Sequence, residues 1–478
     1  MARLEKFNLT QRIAYNAAFS AIARLFEMAV VFVTIKLTTT YLGVDGYGDY
    51  GTVLAFVYIF SVLGDFGLYS IVVRDISVPG ADESRIVSSA LSIRLGLGAI
   101  ILGSAYLFSL LFPYSPAVRT GILIGAAGYW LLNGVQVLIG VFQKHLLMDK
   151  VAVAEFAGRL VQFAGVMLAV RYDLGFLFII GTVFWGAALN FIMIIFSARK
   201  LVDIRLNLDL SHWKAMLRSA FPLAVSAILV LIYFKMDTIF LSVMKGSAAV
   251  GIYSLAYRIM ENLIFFPSMV VGLTMPLLSQ SASANRAQFR SIMQRTLNFL
   301  LLAIVPIVLG IFAVSDRLIM LLSEPEFAPA APVLNILIMA LAFIFLGSLF
   351  SNAIIALGRQ KDLAHIYLCG AVFNILANIV VIPRYSYYGA AFSTLATEFL
   401  VTALMLFAIY REIKALPSFR NLLPAGLSGL AMYAALCLLP FSDILSMMIV
   451  GAAIYAFMAC SLGAVSKEEM RKLLQKRA

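Results

Sequence analysis

The sequence predicts an all-α integral membrane protein with fourteen transmembrane helices, divided six, six and two. Three observations carry that prediction. Of 478 residues, 62% are hydrophobic and only 13% are charged, which is the composition of a membrane protein. Fourteen apolar runs, each near the roughly 20 residues needed to cross a ~30 Å hydrocarbon core, lie between short polar breaks. Finally, Lys and Arg are concentrated in alternate breaks. The net charge of +12 therefore belongs to loops at a membrane face, and no nucleic-acid partner is expected.

In chain order the runs lie near 13–37, 51–73, 86–112, 117–142, 151–171, 174–197, 219–243, 248–275, 292–314, 328–357, 363–382, 388–410, 421–440 and 443–465. The tightest hairpins fall at Arg171–Leu174 and Pro440–Asp443. The N-terminal "MARLEKFNLTQRIAY" has neither the short apolar core nor the small-residue cleavage site of a signal peptide, so the first span is expected to be retained. With the N-terminus inside, the inner segments hold 25 of the 36 basic residues, the outer loops hold 5, and 6 lie within spans. The positive-inside rule then puts both termini in the cytoplasm. Cys369, Cys437 and Cys460 lie in apolar runs, so neither a disulfide framework nor a metal site is expected. No cofactor is implied. No loop exceeds about twenty residues, which leaves no soluble domain for a catalytic site.

The longest polar break, from Ser197, holds five basic residues and the amphipathic "HWKAMLRSA", suited to a helix on the inner membrane surface. It sets the expected divisions: an N-lobe over 1–200, an inter-lobe segment over 201–218, a C-lobe over 219–411, and two further spans with a basic tail over 412–478. The halves share a weak motif. "YGDYGTVLAFVYIF" (from Tyr47) and "VGIYSLAYRIMENLIF" (from Val250) each place a Tyr two residues after a Gly (Gly48 with Tyr50, Gly251 with Tyr253) before an apolar helix. Six spans per repeat is an even number, so the halves are expected to be related by an axis along the membrane normal.

Charges inside spans are costly and usually face a bundle interior or a wet cavity. Arg24 lies about 18 Å from the inner face, with Glu27 one turn deeper; Arg258 and Glu261 lie roughly 12–16 Å from the outer face. Each half thus carries an Arg-x-x-Glu near mid-membrane, its two members on one helix face. Lys235 and Asp237 sit in span seven and Glu398 in span twelve; Asp65, Arg94, Glu155 and Arg159 occupy spans two, three and five. Glu155 and Arg159, at i,i+4, read as a structural staple, and Lys36 as a snorkelling side chain. Asn374 and Asn378 read as interhelical glue. Arg24 and Arg258 read as functional, because an arginine fork donates two parallel hydrogen bonds to a phosphate.

At these residues the chain resembles the polysaccharide flippases of the multidrug/oligosaccharidyl-lipid/polysaccharide exporter superfamily. The resemblance rests on "LGVDGYGDYG" (from Leu42), "LGDFGL" (from Leu63), Trp213 with Phe221, Pro222 and Leu223, "VGIYSLAYRI" in span eight and "MPLLSQ" (from Met275), together with the 6+6+2 division. O-antigen and teichuronic-type translocases and lipid II flippases share that division. The resemblance implies two pseudo-symmetric six-helix lobes around a central cavity open to one face at a time. It also implies a polyprenyl-pyrophosphate-linked oligosaccharide as cargo, moved from the cytoplasmic to the outer leaflet of a prokaryotic inner membrane. Arg24, Glu27, Arg258, Glu261, Lys235 and Arg94 are then the candidate substrate-binding residues, and Asp65, Asp237 and Glu398 the candidates for H+ or Na+ coupling. Membrane lipid, glycosyltransferases and a polysaccharide polymerase are the implied partners. A drug/cation antiporter of the same superfamily is the nearest alternative, but twelve spans and an acidic cavity are typical there. A membrane polymerase or ligase would carry a long outer loop, whereas the longest here, from Ser315, is short and partly apolar.

Overall fold

The computed structural model describes residues 9–441 and 443–464. Arg3, Lys6 and the basic tail from Lys467 lie outside the described residues, as do the side chains of Arg12 and Pro222. Among the described residues there are fourteen α-helices, one 3-10 turn and no strand, the helix count expected from hydropathy. Helices and predicted spans are nevertheless divided differently, because several helices bend without ending.

The first helix, α1 (Leu9–Asp65), carries span one and most of span two across a bend at Gly43, where φ is 64°. An added Cβ there would meet nothing within 4 Å, so glycine is required for its backbone angle alone. Span two breaks again at Phe66 and Gly67, with φ of 48° and 68°, and finishes as α2 (Leu68–Ile76). Spans three to six are α3 (Glu83–Ser109), α4 (Pro116–Lys144), α5 (Met148–Tyr172) and α6 (Gly175–Ala198). Local chemistry sets their ends. The Asp82 side chain accepts from the Arg85 amide and Ser115 from the Val118 amide, with Pro116 in the first turn of α4; these partners satisfy amides that lack an intrahelical acceptor. Asp173, left-handed at φ 51°, ends α5 at the predicted hairpin.

The amphipathic "HWKAMLRSA" is not a separate surface helix. It forms the first turns of α7 (Leu210–Met244), which runs on through span seven. Met216 and Ala220 are buried in a core with Leu68, Val87, Phe142, Val151 and Ile194, so packing against neighbouring helices holds this stretch instead of the interface. Span eight is split into α8 (Ser247–Leu263) and α9 (Phe265–Ala284). Span nine is α10 (Arg286–Leu322), span ten α11 (Ala330–Ala356), and a short turn over Pro325–Phe327 precedes the latter. Spans eleven and twelve are one helix by hydrogen bonding, α12 (Gln360–Ile413), reversed at Ser386, where φ is 52°. The last two spans are α13 (Leu422–Leu438) and α14 (Ile444–Ser461).

The chain forms two compact units. One runs through Gly251 and includes Leu322–Glu324; the other holds Ile252–Leu321 and the residues from Pro325 on. In the first unit α1 packs on α4, α5 and α7, and α6 packs on α4 and α5. A second core there joins Val53, Phe56 and Val57 of α1 with Leu102, Val118 and Ile122. In the second unit α11 packs on α9 and α12. There Met432, Leu436, Met447 and Tyr455 of α13 and α14 form a core with Val314 of α10, and the Tyr455 hydroxyl donates to the Leu302 carbonyl at 2.9 Å.

The repeated Gly-x-Tyr motif marks a helix crossing inside the first unit. A Cβ on Gly48 would overlap the Ser247 carbonyl, and one on Gly251 would overlap the Val44 carbonyl. The two glycines thus let two backbones touch reciprocally, four residues apart on each strand of chain, and Ser247 Oγ donates to Asp49 Oδ1 at 2.5 Å beside them. Lys36 reaches toward the exposed loop between α10 and α11, as a snorkelling side chain would, and finds partners there. Its ammonium bonds Glu324 Oε1 and the Ser323 carbonyl, both at 3.0 Å, while Thr40 donates to the same carboxylate at 2.8 Å. The Thr40 and Lys36 donors hold Glu324 below the usual carboxylate range.

Candidate functional site

In the first unit the charged residues of span one meet those of span five. Arg24 Nη1 lies 2.7 Å from Glu27 Oε2, the i,i+3 pair expected from spacing. Glu27 Oε1 also accepts from Arg159 Nε at 3.0 Å, and Arg159 Nη1 donates to Gln162 Oε1 at 3.2 Å. Glu155 lies within electrostatic reach of Arg24, Glu27 and Arg159. The predicted Glu155–Arg159 staple is therefore replaced by a pair between helices: Arg159 spends its Nε on Glu27 because α1 packs directly against α5. The four groups balance in formal charge, two guanidiniums against two carboxylates. Burial is uneven. The Glu27 side chain is 8% exposed, whereas Arg24 and Arg159 keep 34% and 40% of theirs open. One buried carboxylate thus holds two accessible guanidiniums, one on each of its oxygens.

Arg94 and Asp65 are brought together as well, but in a different setting. Arg94 is 1% exposed and pairs with the carboxylate of Asp65, the last residue of α1 before its break. Arg94 Nη1 also donates to the Asn133 carbonyl at 3.1 Å. The Asn133 amide donates to the Ser61 carbonyl at 3.1 Å, and its oxygen accepts from Ser61 Oγ at 2.9 Å. Around a mid-span helix break, where lipid offers no hydrogen bonds, these partners bind backbone oxygens that are away from water. Arg94 and Asp65 therefore act together at the break in span two, a role that needed Asn133 of α4 to become visible. Lys235 lies elsewhere on the first unit, its ammonium 5.4 Å from the centre of the Tyr58 ring. Asp237, two residues on, is fully buried.

In the second unit Arg258 Nη1 lies 3.2 Å from Glu261 Oε2, with 35% and 32% of the two side chains exposed. Asn262 Nδ2 donates to the Arg258 carbonyl at 2.7 Å, which ties the end of α8 where the helix yields to α9. A separate buried polar cluster forms across the reversal in α12. Asn378 donates to Asn374 at 3.0 Å and Asn374 to Thr397 at 3.3 Å, while the Tyr253 hydroxyl and Thr394 lie 3.1 Å apart. Asn374 and Asn378 are fully buried, and Glu398 is 5% exposed. The asparagines join the two halves of one helical hairpin; their i,i+4 spacing signalled an interhelical contact, whereas the threonine partners carried no distinct signal.

Comparison with known proteins bears on this arrangement. A family model described as "Polysaccharide biosynthesis protein" matches residues 13–282. The chain belongs to that family. It is a polysaccharide flippase family of the same superfamily that the sequence resembles, and its members are transporters instead of catalytic enzymes. A second model, MatE, matches residues 222–380. Among curated relatives, a probable low-salt glycan biosynthesis flippase, Agl15 of Haloferax volcanii, is 24% identical over 395 residues, 80% of each chain. A probable flippase, AglR, from the same organism is 24% identical over 254 residues, 51% of this chain and 53% of the relative. Among solved structures, the fold is similar to lipid II flippase MurJ in an inward closed conformation, with a TM-score of 0.76 at 16% identity over 93% of this chain and 98% of that one. It is also similar to an inward-facing multidrug resistance MATE family transporter of the MOP superfamily, with a TM-score of 0.67 at 15% identity over 82% and 98%.

Proposed function

We propose that this protein is a lipid-linked oligosaccharide flippase. It moves a polyprenyl-pyrophosphate-linked glycan from the cytoplasmic to the outer leaflet of a prokaryotic cell membrane by alternating access. Both termini are cytoplasmic in this reading, which the distribution of basic residues along the sequence supports. The pyrophosphate, with about two negative charges, cannot cross hydrocarbon unaided, and the transporter's task is to carry it.

The observation that carries this reading is the open, carboxylate-held guanidinium, found on α1 at Arg24 and again on α8 at Arg258. A guanidinium held this way stays oriented. It can also exchange its carboxylate for a phosphate without moving far, since both present paired anionic oxygens to the N–H donors of its planar fork. Glu27 and Glu261 hold the forks when no cargo is bound. Lys235 adds a cation, while Arg94, being buried, supports the break in span two. Asp65, Asp237 and Glu398 are the carboxylates available for H+ or Na+ coupling. The glycosyltransferases that build the cargo and a polymerase that consumes it are the partner classes. Cation-coupled drug antiport, suggested by the MatE match, fits less well, because in the first unit the exposed members of the cluster are guanidiniums, donors that suit an anion, while the Glu27 carboxylate is buried.

Native mass spectrometry of the gently extracted protein tests the proposal. Wild type is expected to carry a polyprenyl-pyrophosphate glycan that the Arg24→Gln/Arg258→Gln variant loses at equal folded yield. Equal retention of the lipid by both would mean that the arginines are structural and the pyrophosphate assignment fails.

A further inference from the structure

The connection between α6 and α7 has a two-sided character that the proposed cargo-binding residues do not explain. Residues 203–209 have no regular secondary structure, yet they are tied closely to α3. The Arg205 amide donates to Ser88 Oγ at 3.0 Å, the Asn207 amide to Ser92 Oγ at 2.9 Å, and Asn207 Nδ2 to Ser89 Oγ at 3.0 Å. Trp213 Nε1 donates to the Asn207 carbonyl at 3.0 Å, and Asp209 accepts from Arg85 at 2.8 Å. One side of this strap is therefore saturated with hydrogen bonds.

The other side is apolar and open. Leu206, Leu208 and Leu210 are 80%, 74% and 71% exposed, and Phe221, three turns into α7, is 62% exposed. Asn207 and Asp209, between the leucines, are turned inward. Depth along the span follows from the serines. Ser92 is nine residues beyond Glu83, the first residue of α3, and so roughly 13 Å along that helix. The strap is thus drawn alongside the first turns of α3, a helix long and apolar enough to cross a membrane. Five basic residues, Arg199, Lys200, Arg205, Lys214 and Arg218, flank the leucines, against only Asp203 and Asp209. Both aspartates already have arginine partners, Asp203 with Arg205 and Asp209 with Arg85.

We propose that this strap is an interfacial lipid anchor: Leu206, Leu208 and Leu210 insert at the acyl–headgroup boundary of an anionic leaflet, and Arg199, Lys200, Lys214 and Arg218 bind its phosphates. Apolar side chains framed by basic residues are the recognition chemistry of an anionic membrane surface. The serine clamp serves to present the leucines outward, because it leaves no backbone donor at Arg205 or Asn207 to be desolvated on insertion. The anchor does not depend on what the protein transports.

Spin labels test it in the full chain, on a background with Cys369, Cys437 and Cys460 changed to Ser. Leu206→Cys, Leu208→Cys and Leu210→Cys are exposed positions, and Asn207→Cys is the inward control. In bilayers containing phosphatidylglycerol, labels at 206, 208 and 210 are expected to collide with oxygen several-fold more than with a water-soluble nickel complex. In pure phosphatidylcholine, or at high salt, that ratio should fall. A preference for the nickel complex would mean that the strap faces water, and protection from both reagents would mean that protein covers it; either overturns the proposal. Equal ratios in neutral and anionic bilayers would remove the role given to the basic residues. The wild-type protein supplies an independent reading: a photoactivatable anionic phospholipid should cross-link within 203–218, and absence of such adducts would also overturn it.

Discussion

Replacing Gly48 with alanine should loosen the crossing between α1 and the start of α8. The new Cβ would lie against the Ser247 carbonyl, well inside the 3.0 Å that real Cβ contacts essentially never breach. The obstacle is backbone, so no side-chain rotamer can relieve it. The crossing must open, and a gap of about 1 Å forfeits roughly a quarter to a half of the dispersion energy of the atoms involved. It also stretches the Ser247–Asp49 hydrogen bond, 2.5 Å in the wild type. Overpacking of this kind costs about 1–3 kcal/mol and a lost hydrogen bond about 0.5–1.5 kcal/mol, so a total near 2–4 kcal/mol is expected. Gly103→Ala supplies the control, because that exposed glycine of α3 has nothing within 4 Å of its added methyl, and helix propensity there favours alanine by roughly 0.5–1 kcal/mol. The assay is retention of the monodisperse fluorescent peak after heating in detergent, compared between variants at one heating rate because a polytopic protein does not unfold in two states. Gly48→Ala should lose the peak at clearly lower temperature than wild type, and Gly103→Ala should not. If the two variants behave alike, the reciprocal glycine contact does not hold the crossing.

Two further outcomes follow from the ion pairs. Arg94→Gln should leave the Asp65 carboxylate uncompensated at the break in span two; with Asp65 about one-third exposed, the loss is expected at the lower end of about 3–5 kcal/mol, read by the same heating assay, and Asp65→Asn in the same chain should recover most of it. Asp209 is held well below the usual carboxylate range by Ser211, then Arg85 and the His212 amide; its contribution is therefore complete above the ordinary value of 3.8 and lost only as pH falls through its lower folded value, so hydrogen exchange at the first amides of α7 should stay constant from neutral pH to about 4 in wild type and rise already at neutral pH in Asp209→Asn.

Much of this protein was legible in the sequence because hydropathy is local. Each span buries its apolar length in lipid independently of its neighbours, so fourteen runs read from composition became fourteen helices' worth of structure, and hairpins at Asp173 and before Asp443 fell where polar residues interrupt the runs. The Arg24–Glu27 and Arg258–Glu261 pairs were legible for the same reason, since i,i+3 spacing places both members on one helix face. Partners between helices were not. Arg159 was expected to pair with Glu155 four residues away, yet it bonds Glu27, 132 residues distant, because the packing of α5 on α1 brings a more buried carboxylate within reach. Lys36 snorkels to an exposed loop as its place in span one implies, but its partners there, Glu324 and the Ser323 carbonyl, lie 288 and 287 residues away and carried no signal.

The amphipathic stretch after Asp209 shows the same division. Its periodicity announced a helix but could not say whether the apolar face meets lipid or protein, and Met216 and Ala220 meet protein. Gly48 and Gly251 were visible as a repeated motif, but only the folded chain revealed that they touch. The sequence by itself determined the membrane class, the spans and the charges held within them, all of which depend on neighbours along the chain. The tertiary structure decided which charge answers which, where helices bend and which leucines stay open, because those depend on the packing of segments that are distant in sequence.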